Sequence, residues 1–198
     1  MTDLPKTVTV TGIPYTVKPS NFDGDYGVDS QTQEIYVCED AAPARRRQYL
    51  IQNVALLLME AGGITKKTYQ RYHMQVGAVL DRFLKDNTLD WVKESKQAPG
   101  TIWINGLAYR VNRDADKELS ARDLGGEVDF NTLEIRISNN LEPDIMTYVT
   151  IHECTHAIFF EAYAGNLHDR EEIVEAVAWQ LYYFLRDNDL KILKPEGA

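Results

Sequence analysis

The chain carries one pattern of apolar and polar positions twice. The stretches "VTVTGIPYTV" (8–17) and "IWINGLAYRV" (102–111) alternate apolar and polar residues on both sides of a Gly-containing turn, the signature of a β-hairpin. Downstream, "VDSQTQEIYV" (28–37) and "VDFNTLEIRI" (128–137) agree at five positions, and alternation over 33–38 and 133–138 predicts a third strand in each copy. A helix follows, opened by Pro43 or Pro143, since proline is tolerated best in a first turn, where its missing N–H has no intrahelical partner to lose. Gly62 and Gly63 in the first copy, and Gly165 in the second, mark the ends of these helices. A second helix closes each copy, over about 67–86 and 169–187, and carries the paired blocks "VLDRFLKDNTL" (79–89) and "QLYYFLRDNDL" (180–190).

The copies run at an offset of 94 in the hairpin, 100 in the third strand and first helix, and 101 in the second helix. Six additional residues therefore lie around "DADKELSARD" in the second copy. The polar segment "KESKQAPG" (93–100) is the natural linker. The pattern predicts an α+β protein of two duplicated units, residues 1–95 and 96–198. Each is a small antiparallel hairpin or sheet followed by two helices, and the units pack as a pseudo-dimer within one monomer.

Composition narrows the function classes. A net charge of −9 and a sequence pI near 4.9 argue against sequence-independent nucleic-acid binding, which needs a basic face. Neither a secretory signal pattern nor an apolar run long enough to span a bilayer is present, and Cys38 and Cys154 are too few for a disulfide framework. The expectation is a cytoplasmic protein without a membrane partner, with Cys154 acting as a small buried hydrophobe.

The chemistry is concentrated in "TIHECTHAIFFEAYAG" (150–165), which holds two of the four histidines of the chain. His152 and His156 are four apart, so a helix places both imidazoles on one face, where they can converge on a zinc ion. Glu153 points beside that ion, placed to take a proton from a water that the zinc activates and to pass it to a leaving amine. With this composition a chance HExxH arises with a probability below about 1%. A catalytic zinc wants a third protein ligand. Glu171 on the following helix is the first candidate, and Glu175, Glu172 and His168 are the alternatives. Glu175 shares a face with Glu171, among apolar neighbours, and can instead support a ligand histidine by a hydrogen bond. His168 and Tyr163 are candidate proton or oxyanion donors. The first copy holds Gln52, Asn53 and Leu56 in place of His152, Glu153 and His156, and Gln70 and Met74 in place of Glu171 and Glu175. It is degenerate, and its one histidine, His73, is isolated.

Residues 100–190 resemble the metallopeptidase-like proteins of phages and prophages related to the ImmA/IrrE group of gluzincin-type zinc peptidases. The resemblance rests on "TIWINGLAYRV", "GGEVDFNTLEIRI", "YVTIHECTHAIFFEAYAG" and "EEIVEAVAWQLYYFLRDN". It implies a minimal zincin fold in each unit, Glu171 as the third zinc ligand, and hydrolysis of peptide bonds in a protein or peptide substrate. The degenerate first unit departs from that family and is read as a brace for the second. The competing expectation is a non-catalytic interaction or adaptor protein of phage type, with structural zinc or none.

Overall fold

The computed structural model describes residues 4–20, 27–113 and 116–190. Both copies fold the same way. In the first, β1 (Thr7–Val10) and β2 (Ile13–Ser20) form the expected hairpin, and Thr11 and Gly12 take positive φ at its two-residue turn. β5 (Thr101–Ile104) and β6 (Leu107–Asn112) repeat it around Asn105 and Gly106, also at positive φ. Two consecutive left-handed residues match the natural twist of the strands, which is why Asn-Gly suits this place.

The sheets are not purely antiparallel, as the pattern had predicted, but mixed and four-stranded. The short strands β3 (Gly27–Asp29) and β7 (Gly126–Asp129) pair antiparallel with β4 (Glu34–Cys38) and β8 (Glu134–Ile137). β4 and β8 in turn run parallel to β2 and β6, giving orders β1-β2-β4-β3 and β5-β6-β8-β7. The repeated block that predicted a single strand is therefore itself a hairpin. Asp29 Oδ1 accepts from the N–H groups of Gln31 and Thr32, and Asp129 Oδ1 from those of Asn131 and Thr132. Gln33 and Leu133 then take φ of 55° and 52°. A side-chain-bearing residue at the left-handed position hides the turn from a search for glycine.

Helices α1 (Pro43–Ala61) and α5 (Pro143–Glu161) begin at the expected prolines. α2 (Lys66–Asp86) and α6 (Glu171–Asp187) close the copies, and α3 (Asp90–Lys93) leads into the linker. The additional residues of the second copy form the short helix α4 (Asp116–Ala121). α1 ends as expected at Gly62, with Gly63 at positive φ. α5 differs: Tyr163, not Gly165, occupies the corresponding left-handed position, with φ of 50°. Gly165 instead lets the chain approach Tyr72 of α2, whose hydroxyl lies 2.9 Å from where a Cβ would stand.

The two units share one continuous apolar core. Equivalent residues of both units, Leu58 and Ile158, Met59 and Phe159, and Leu80 and Leu181, line a common void of about 20 Å³ within it. The closing helices reach across the pseudo-dimer. Asn87 follows α2, and its amide accepts from Trp103 N–H at 2.8 Å and donates to Trp103 O at 2.7 Å on edge strand β5. Asn188 follows α6 and makes the same pair with Thr9 on edge strand β1, at 2.8 and 2.7 Å. Each unit thus caps one edge strand of the other's sheet. Among the described residues, no helix is long and apolar enough to cross a membrane.

Candidate metal centre

α5 lies under the second sheet against β7 and β8, and α6 packs beside it. Its apolar stripe (Ile151, Thr155, Ile158, Phe159, Ala162) is buried, as the spacing predicts. Cys154 is fully buried, and burial raises its thiol pKa, so it packs as a neutral group. His152 and His156 emerge one turn apart, with Nε2 atoms 3.1 Å from each other. A 3-10 turn (Leu167–Asp169) then brings the chain back so that Glu171, the first residue of α6, faces both rings. Its Oε1 lies 2.9 Å from His152 Nε2, and its Oε2 lies 3.3 Å from His156 Nε2. Ligand atoms around a tetrahedral zinc sit roughly 3.3 Å apart, since each lies about 2 Å from the ion. Two imidazole nitrogens and a carboxylate converging at these distances therefore fit zinc in both donor chemistry and spacing. Among the described residues this is the one group of three that can hold a metal ion.

The two rings are held differently. His156 Nδ1 donates to the backbone carbonyl of His168 at 2.6 Å, which leaves Nε2 facing the cluster. Burial lowers the pKa of His156, favouring the neutral ring that binds metal. His152 Nδ1 is sealed from solvent without a well-aligned hydrogen bond, and Glu175 Oε2 lies 3.1 Å from it, off the N–H direction. Glu175 is half-exposed rather than deep among apolar neighbours, as its spacing had suggested. Glu172 turns away and pairs with Arg170 at 2.8 Å.

Glu153 is 5% exposed. Burial, followed by the charges of Glu171 and Glu127, pushes its carboxyl pKa up to about 8. It lies against the edge strand: a Cβ on Gly126 of β7 would stand 2.9 Å from Glu153 Oε1 and 2.7 Å from Val149. Only glycine permits so close a passage of β7 over the carboxylate.

The remaining candidates separate cleanly. The ring of His168 is not turned toward the cluster as a ligand. It is wedged edge-on against Phe130 and Phe160, which stack at 4.1 Å, and its contribution is the carbonyl that orients His156. Tyr163 is 88% exposed, two turns beyond His156. In the first unit, Gln52 and Asn53 are buried at the equivalent places, and Asn53 Nδ2 donates to Tyr36 O. There α2 closes down on α1, since a Cβ on Gly77 would lie 2.6 Å from Gln52 Cα. The sequence pattern missed Gly126, the His168 carbonyl, and the aromatic pair Tyr148 and Trp179, which stacks at 3.8 Å beside His152. A signal for the last two existed, because the first copy has Gln48 and Ala78 in their places.

No family model matches the chain, and no curated protein or solved structure matches it.

Proposed function

We propose that the protein is a zinc-dependent metallopeptidase, active through its second unit and acting on a protein or peptide in the cytoplasm. The observation that carries this reading is the convergence of His152, His156 and Glu171 with the buried carboxylate of Glu153 alongside. The resemblance of residues 100–190 to the ImmA/IrrE group, with Glu171 as third ligand, is part of the same proposal. His152, His156 and Glu171 would hold the ion, and three protein donors leave a tetrahedral metal one further position. Bound zinc supplies a Lewis acid that polarises the scissile carbonyl and acidifies water.

The other steps belong to the chain itself. Glu153 takes the proton released as water adds to the carbonyl carbon, and delivers it to the departing nitrogen. The amide C–N bond is thereby exchanged for a carboxylate and an amine. The depth of Glu153 keeps its carboxylate out of bulk water and beside the donor cluster. β7 passes directly over it as an edge strand, and such an edge can receive an extended peptide by backbone pairing. The first unit serves as a brace: it completes the shared core and covers the edge strand β5 through Asn87.

Replacing Glu153 by Gln tests the assignment. The variant is expected to keep its zinc and to lose peptide hydrolysis by at least about a hundredfold. Cleavage at the wild-type rate contradicts the role of Glu153. A wild-type protein that carries no metal favours the interaction-protein alternative.

A further inference from the structure

Resting on the metal-centre reading, we infer that Trp179 is a positioning residue for the metal site: its indole N–H fixes the Glu175 carboxylate so that His152 presents Nε2 to the ion. The links are direct. Trp179 Nε1 donates to Glu175 Oε1 at 3.1 Å, while Oε2 of the same carboxylate lies 3.1 Å from His152 Nδ1. One carboxylate therefore accepts from the indole and stands within reach of the imidazole, whose buried Nδ1 has no other partner among the described residues.

Exposure explains why the indole is needed. The Glu175 side chain is 48% exposed, so water competes for it, and an exposed acid alone holds a histidine weakly. A fixed donor on one oxygen restricts the rotation of the other. The indole is itself immobilised by Tyr148, whose ring stacks on it at 3.8 Å with an interplanar angle of 15°. Tyr148 also turns an edge to His152, with ring centroids 6.2 Å apart, and its hydroxyl donates to Glu175 O at 3.4 Å.

Packing alone is the competing explanation for an aromatic residue here, and the first unit argues against it. That unit builds the same helix pair with Gln48, Gln52, Met74 and Ala78 where the second has Tyr148, His152, Glu175 and Trp179. The fold is satisfied without any of the four, and they stand together only in the copy that holds the donor cluster.

The test is a double-mutant cycle on the full chain, read as zinc affinity by competition with a chromophoric chelator. Trp179→Phe keeps a stacking ring and removes the N–H, and Glu175→Ala removes the carboxylate at a half-exposed position. Each is expected to raise the zinc Kd by about tenfold or more. The double variant should bind no more weakly than Glu175→Ala alone, because Trp179 acts through Glu175. Wild-type affinity in Trp179→Phe, or an equal loss from that change in the Glu175→Ala background, overturns the inference while leaving the metal centre standing. Absence of zinc binding by the wild-type protein overturns both.

Discussion

His156 divides its two ring nitrogens between the backbone and the cluster, and the carbonyl of His168 decides which is which. Comparable fixation recurs at Glu134 in the repeated block. It accepts from Asn112 at 3.0 Å, Arg110 at 2.7 Å and Arg136 at 3.3 Å, and these partners, Asn112 foremost, hold its carboxyl below the ordinary glutamate range. In the unfolded chain the carboxyl regains its ordinary pKa. The stabilisation is therefore complete above that ordinary value and is lost as pH falls through the lower, folded-state value. Between about pH 5 and about pH 3, the denaturant midpoint of the wild type should fall more steeply than that of Glu134→Gln. Parallel slopes would show that Glu134 carries no such linkage. Residue identity made His152, Glu153 and His156 legible in the sequence, since their spacing itself is the chemistry. The carbonyl of His168 was not legible, because any residue type supplies a carbonyl.

The first helix of each copy and the leading hairpins were legible because each carries its own punctuation: Pro43 and Pro143 at the helix starts, Thr11-Gly12 and Asn105-Gly106 at the turns; the short helices α3 and α4 carry none and were not foreseen. The second hairpin of each sheet was not, since Gln33 and Leu133 take left-handed conformations that favour other residues. Its parallel pairing to β2 or β6 depends on chain path rather than on local pattern. The asparagines that end the closing helices were visible only as matched letters in a repeat. Their physical task is at the element scale: each satisfies a backbone N–H and a carbonyl on the opposite unit's edge strand, and also donates to the last turn of its own helix, Asn188 to Phe184 O at 2.8 Å. Asn188→Ala leaves both Thr9 groups without these partners and should cost about 2 kcal/mol or more in a denaturant titration. A change below about 0.5 kcal/mol would mean that water replaces the amide fully.

The whole molecule is a pseudo-symmetric pair in which packing is shared and chemistry is not. Equivalent residues of both copies enter one common core, so the apolar pattern of both is explained by one function, burial. Apart from α4, the departures from symmetry collect on the helix pairs α1–α2 and α5–α6. There the first unit closes over Gln52 with Gly77, while the second keeps Glu153 beneath β7 and the donor cluster beside it. The proposed function places one centre per chain, and metal analysis of the protein purified without added zinc tests it most directly. The account predicts close to one zinc per chain in the wild type and none in His156→Ala. A metal-free wild type, two ions per chain, or full retention of zinc by His156→Ala would contradict it.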